Sequence, residues 1–199
     1  MDDLSLHIMD IVENCLNAHA SQVKIDIVEN LVSDTLTLSI VDNGKGMGEE
    51  EARQALDPFT TSRTCRSVGL GLPLLKARAE RCNGALSITS KRGEGTTITA
   101  VFQHGHMDRP RLGDITSTLV CIIAANPSLD LVYRHTVGTV SYELDTCEVR
   151  RIVGEGCFQE HGTLALITQD IRRGLAELAV ERTRLFKAKH GYEPSVELM

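Results

Sequence analysis

Val41-Asp42-Asn43-Gly44-Lys45-Gly46-Met47 is the stretch whose reading decides the fold. It follows an alternating apolar run, Leu36, Leu38 and Ile40, so Asp42 closes a β-strand and stands at the rim of a sheet, where the chain turns sharply. A carboxylate in that position can accept a hydrogen bond from the exocyclic amine of adenine. Guanine would set a carbonyl against it, acceptor against acceptor. Gly44 and Gly46 let the backbone approach a base and adopt positive φ, and Met47 offers a soft apolar surface to a ring. Taken alone, the string reads equally well as an ordinary Asp-Asn-Gly turn.

Upstream, residues 4–20 predict an amphipathic helix, with Leu4, Ile8, Ile11, Val12, Cys15 and Leu16 on one apolar face. His7, Asp10, Asn14 and Asn17 recur at three- and four-residue steps on the opposite face. Asn14 carries a hard carbonyl oxygen suited to Mg²⁺, which takes few protein ligands besides phosphates and water. Asp10, one turn earlier, can orient or deprotonate a water or hold a metal-bound one. A solvated polar face accounts for the same residues. Val23, Ile25 and Ile27 then alternate with polar residues and predict a strand that pairs with 36–40 as a hairpin across the polar loop Glu29 to Asp34.

Downstream, residues 49–56 predict a short helix and Asp57 to Val68 a loop. A helix over about 70–82 is entered through Gly69-Leu70-Gly71-Leu72, tolerates Pro73 in its first turn and stops at Asn83-Gly84. Free N–H groups at such a start attract anions. The string matches neither the P-loop nor the dinucleotide fingerprint, and a plain tight helix entry also explains it. Strands at 86–88 and 98–102, joined by Gly93-Glu94-Gly95, complete an α+β fold, a two-layer helix-on-sheet sandwich.

A chain of 199 residues accommodates that domain, over 1–103, together with a small second module. Residues 104–113, rich in His, Gly, Pro and Arg, read as a linker, and 114–199 as a C-terminal α+β module: a helix at 114–125, strands at 129–134 and 138–145, helices at 147–153 and 165–188. The last helix is charged along its length and reads as a solvated surface helix. The module's role is open, and covering the free face of the sheet is one reading of it. A net charge of −6 argues against nonspecific nucleic-acid binding. The absence of a long apolar run argues against a membrane span, and the acidic start is no secretory signal, so a cytoplasmic location is expected. Six scattered cysteines without a C-x-x-C pair read as reduced thiols, mostly core filling, and not as a zinc site.

Five strings in order then resemble the GHKL superfamily, which includes gyrase-type topoisomerases, Hsp90 chaperones, histidine kinases and MutL-type ATPases. Residues 8–18, Ile8 to Ala18, look like its N box, with spacing to the next strand similar to the MutL form; 42–47 look like the G1 box. Asp57-Pro58-Phe59-Thr60-Thr61-Ser62-Arg63 resembles the F-box and lid entry of histidine kinases, 69–72 followed by Lys76 the G2 box, and Gly93-Glu94-Gly95-Thr96 the late Gly-x-Gly-Thr turn. The resemblance covers residues 4–102 and implies the Bergerat sandwich and an ATP site. Asn14 would bind Mg²⁺, Asp42 would read adenine beside Gly44, Gly46, Met47 and Thr96, and Gly69, Leu70, Gly71 and Leu72 would hold the phosphates. Asn17, Thr61 and Arg63 would join the nucleotide contacts from the N box and a short lid.

Two departures qualify what the resemblance implies. Hydrolysing relatives carry Glu where this chain has Asp10, one methylene shorter, and Glu13 lies about 60° round the helix from it. Asp10 is therefore the candidate catalytic residue for a slow ATPase, while binding has the broader support. Only a handful of residues precede the N box, and His7 reads as a neighbour of the nucleotide residues or as solvated, so an autophosphorylating kinase is not expected. The expectation is a stand-alone Mg-ATP-binding protein that switches or phosphorylates a protein partner, alone or as a homodimer. A slow ATPase and a non-catalytic nucleotide-dependent scaffold are the alternatives.

Overall fold

A computed structural model describes residues 3–57 and 71–191. The elements in chain order are α1 (Leu4–Asn17), β1 (Gln22–Asn30), β2 (Thr35–Asp42), α2 (Glu49–Gln54), α3 (Gly71–Arg81), β3 (Ala85–Lys91), β4 (Gly95–Gln103), α4 (Ile115–Ala125), β5 (Asp130–Val137), β6 (Val140–Asp145), α5 (Thr146–Val153) and α6 (His161–His190), with a short 3₁₀ turn at Cys157–Gln159. They form a mixed α+β structure around one six-stranded sheet, ordered β3-β4-β2-β1-β5-β6.

Local chemistry fixes most of the boundaries. His19 (φ 60°) and Asn83 (φ 54°) take left-handed geometry just past α1 and α3. The Asn30 side chain accepts from the Val32 and Ser33 N–H groups, 3.0 Å each, and closes the β1–β2 turn. Asp114 caps α4 by accepting from Ser117 N (2.9 Å), and Asp145 caps α5 by accepting from Cys147 N (2.8 Å). The expected first hairpin is present, with Val23 opposite Asp42 and Glu29 opposite Leu36. Its turn is shorter than expected, because β1 runs on to Asn30 and places Glu29 at its last inward position, 4% exposed.

The sheet is one-sided. Val23, Ile25 and Ile27 of β1, Leu38 and Ile40 of β2, Ile98 and Ala100 of β4 and Leu131 and Tyr133 of β5 share one face. Together with Ile8 and Ile11 of α1, Leu75 of α3 and Leu119 and Ile122 of α4 they form a single core. The other face presents Lys24, Asp26, Ser39, Thr99, Arg134 and Glu143.

Among the described residues the C-terminal segment does not cover that polar face. Strand β5 joins the outer side of β1 in parallel, Ile25 opposite Tyr133, and α4 supplies the crossover that a parallel pair needs. Residues 104–113 are likewise tied down, since the Arg111 and Leu112 carbonyls accept from the N–H groups of Leu4 and Ser5 (2.8 and 2.9 Å). Helix α6 is less solvated than its charge suggests. Thr163, Ile167, Ile171, Gly174 and Leu178 line a buried stripe, and Arg182 reaches the Glu29 carboxylate. Among the described residues no helix is long and apolar enough to cross a membrane.

Candidate functional site

Strand register brings the first site residues together. Asp42 ends β2 opposite Thr96 at the start of β4, and two residues back Ile40 faces Ile98. Both polar side chains therefore point to the helical face, at the edge of the core, where Asp42 is 7% exposed. Asp42 Oδ1 accepts from Gly44 N–H (2.8 Å) and Oδ2 from the Cys15 thiol (3.5 Å). Burial, and then the Asp42 charge, push the Cys15 thiol far above its ordinary range, so it stays a protonated donor.

The loop after Asp42 is pinned on both sides. Asn43 Oδ1 accepts from the Ser21 and Gln22 N–H groups, 2.9 Å each, and Lys45 N–H donates to the Ala18 carbonyl (2.9 Å). On the far side Met47 N–H donates to Ser90 Oγ (2.8 Å), which lies 2.9 Å from Thr96 Oγ1. Gly46 has φ +61°, and a Cβ there would stand 2.0 Å from the Lys91 carbonyl oxygen, so no other residue fits.

These contacts frame a partly open cleft. Six of the expected residues line it: Asn14, Asp42, Gly46, Met47, Leu72 and Thr96. Gly44 stands behind Asp42, its N–H holding the carboxylate. Asn17 instead is exposed at the end of α1, since a three-residue step from Asn14 turns it about 60° round the helix. Ile11, Cys15, Ala18, Lys45 and Ile98 also line the cleft without having been singled out. Ile98 is two residues beyond Thr96 in the strand and Cys15 adjoins Asn14, so the spacing carried a signal for both. Thr61, Arg63, Gly69 and Leu70 lie outside the described residues.

Asp10 sits next to the cleft, against the first residue of α3. A Cβ at Gly71 would come within 1.5 Å of Asp10 Oδ2, so the glycine is what allows helix and carboxylate to meet. Among the described residues Asp10 Oδ2 has no hydrogen-bond partner, and the His7 ring lies beside the Gly71 backbone. His7 is not solvated: it is 0% exposed, between α1 and its neighbours. Burial, then the nearby charge of Arg78, lower its pKa from 6.5 to about 4.

The sign of the consequence follows from linkage. Between pH 6.5 and 4 the unfolded chain binds a proton at His7 that the folded chain refuses, so stability falls as pH drops through that window. The loss reaches about 3 kcal/mol at the acid end. Thermal unfolding of wild type and His7→Leu across pH 4–7 checks this. The variant should lose most of that slope, and an unchanged slope would contradict it.

A family model described as histidine kinase-, DNA gyrase B-, and HSP90-like ATPase matches residues 2–106. A putative sensor protein of Shewanella frigidimarina is 32% identical over 111 residues, 54% of this chain and 17% of that protein. The heme sensor protein HssS of Staphylococcus saprophyticus is 28% identical over 95 residues, 47% of this chain and 21% of its own length. Sensor histidine kinase YvrG of Bacillus subtilis is 26% identical over 98 residues, 47% of this chain and 17% of that protein. The chain thus spans about a fifth of the length of these relatives. With more than half of its residues matched, and the cleft built within the matched part, the chain belongs to the histidine kinase-, DNA gyrase B- and HSP90-like ATPase family.

Proposed function

We propose that the chain binds Mg-ATP in this cleft and uses the nucleotide to switch or phosphorylate a partner protein. The observation that carries the reading is Asp42. Its carboxylate is held by Gly44 and Cys15 in a mainly apolar cleft lined also by Ile11, Met47 and Ile98, with Thr96 opposite it on the neighbouring strand. That cleft suits a flat ring with an amine edge, for which Asp42 supplies the acceptor and Met47 and Ile98 the apolar contact. Lys45, exposed at the rim of the same cleft, adds positive charge to it.

The residues near Gly71 fit a Mg²⁺-bound phosphate chain. A buried carboxylate oxygen on Asp10, without a partner among the described residues, lies beside a helix start cleared of side chain by Gly71. When bound, the ion would neutralise phosphate charge, and Asn14 is the residue proposed to hold it. Leu72 would close the cleft, with Gly69, Leu70, Thr61 and Arg63 continuing the phosphate side. Incubation with γ-labelled Mg-ATP and candidate partners is expected to give a labelled partner or an ATP-dependent complex. If neither nucleotide binding nor any partner response appears, the reading fails.

The Asp10 oxygen, without a partner among the described residues, also favours a second reading, slow hydrolysis with Asp10 accepting a proton from water. Steady-state phosphate release should then fall about tenfold or more in Asp10→Asn. Equal rates would remove Asp10 from any such role and leave the binding reading standing.

A further inference from the structure

Strand β6 ends the sheet, so one of its edges has no neighbouring strand among the described residues. Which groups point out from that edge follows from β5. Asp130 N–H donates to the Ser21 carbonyl (2.9 Å) and Gly138 N–H to the Glu29 carbonyl (3.2 Å), so the even-numbered residues of β5 turn their backbone toward β1. The odd-numbered ones turn toward β6, as Leu131 N–H does in donating to Thr146 Oγ1 (2.8 Å). Tyr133, His135 and Val137 therefore engage Leu144, Tyr142 and Val140, and the N–H and C=O groups of Ser141 and Glu143 face outward. This edge carries none of the usual guards. Its register runs from Val137–Val140 to Val132–Asp145 without a bulge, and β6 holds neither proline nor lysine.

Helix α6 lies along β6 and runs antiparallel to it. Tyr142 rests on Gly174, where a Cβ would stand 2.1 Å from its ring, and Gly138 rests on Leu185. Tyr142 OH also donates to Asp170 Oδ2 (2.9 Å). Arg182 leans the other way, into the sheet, to reach Glu29 on β1. At 3.6 residues per turn Arg173 lies on the opposite side of the helix from Arg182, so it points out past β6. Leu166 and Val180 stand near the same line, about two turns to either side, and are 69% and 71% exposed. Asp170, paired with Arg173, and Glu177 flank that arginine at one turn.

We propose that a second copy of this chain docks here, the two β6 strands pairing antiparallel about a two-fold axis at Tyr142. Ser141 then exchanges both backbone bonds with the partner's Glu143, and the sheet runs on through the interface. An axis at Glu143 would instead oppose two carboxylates. Because Tyr142 rests on Gly174, the same axis passes α6 beside Arg173. The two α6 helices run antiparallel there, and Leu166 of each copy meets Val180 of the other. The two Arg173 side chains lie among Asp170 and Glu177 of both copies, so opposite charges gather at the axis. Helix α6 touches β5 as well as β6, which sets the two helices about two strand spacings apart, a helix-packing distance. The surface is independent of the nucleotide reading and lies wholly outside the family-matched residues 2–106.

Sedimentation of the full chain without nucleotide, under reducing conditions and across about 1–100 µM, tests the proposal. A reversible dimer is expected. Leu166→Glu, at an exposed helix position, should weaken it about tenfold or more. Ser141→Pro, which deletes one outward N–H at an edge position that tolerates proline, should do the same. Leu74→Glu, at an exposed apolar residue of α3 over the other end of the sheet, should leave it unchanged. Leu166→Lys combined with Val180→Glu should regain the dimer that either change alone weakens, because opposite charges then meet at both contacts. A chain that stays monomeric throughout that range, a dimer that Leu166→Glu or Ser141→Pro leaves intact, an equal loss from Leu74→Glu, or a double variant no tighter than the single ones would overturn it.

Discussion

Asp42→Asn should cut the affinity for ATP about a hundredfold or more, with little effect on the fold. Both carboxylate oxygens already face donors, Gly44 N–H at Oδ1 and the Cys15 thiol at Oδ2, before a nucleotide adds its amine. A carboxamide keeps one acceptor and adds a donor. With its oxygen toward Gly44, its NH₂ meets the thiol and the adenine amine; flipped, its NH₂ meets Gly44 N–H. Either way at least one donor is stranded at this buried position, and each such mismatch costs about 1–3 kcal/mol. Losing the charge-assisted bond adds to this, and about 3 kcal/mol is two orders of magnitude in affinity. GTP should bind wild type as weakly as ATP binds the variant, because its carbonyl opposes the carboxylate. Calorimetry with Mg-ATP and Mg-GTP reads both effects. An Asp42→Asn variant with wild-type ATP affinity would remove Asp42 from base recognition.

Sequence reading succeeds here where the determinants are local or periodic. Alternation places Asp42 and Thr96 on inward strand positions, and the antiparallel hairpins follow from short turns such as Gly93-Glu94-Gly95. The six cleft residues anticipated from the sequence all come from such strings. Reading weakens where long-range packing decides. Nothing near Val23 announces that β1 pairs in parallel with β5, about a hundred residues away. His7 falls on the polar stripe of α1 by angle, yet α3 and α4 both pack against that helix and leave no solvent at its imidazole. Glu29 looks like a hairpin-turn residue, because carboxylates seldom close an inward strand face, and its partners lie in three other segments. Arg182 shows the same limit from the other side: on a helix this charged, one inward-facing Arg cannot be picked out by composition.

Glu29 should be the most costly single position outside the cleft. Burial alone would raise its pKa, but hydrogen bonds from His104, His135 and Arg182 outweigh that and hold the carboxyl far below the usual carboxylate range. A depressed folded value means the stabilisation is fully present above about pH 4.5 and is lost only as the medium acidifies below it. Glu29→Gln removes the charge and sets an NH₂ among three donors, leaving Arg182, with 15% of its side chain exposed, without its counter-ion. Breaking one side of such a buried pair costs about 3–5 kcal/mol, which in a chain of this size lowers the melting temperature by about 10 °C. The loss should concentrate at β5 and α6, which Glu29 ties to β1 through His135 and Arg182, so amide exchange there should accelerate before that of β2 and β4. Replacing both partners, as Glu29→Leu with Arg182→Met, should recover much of the loss, since neither charge is then buried alone. If Glu29→Gln melts within about 2 °C of wild type at pH 7, the cluster is not what fastens the C-terminal helix to the sheet.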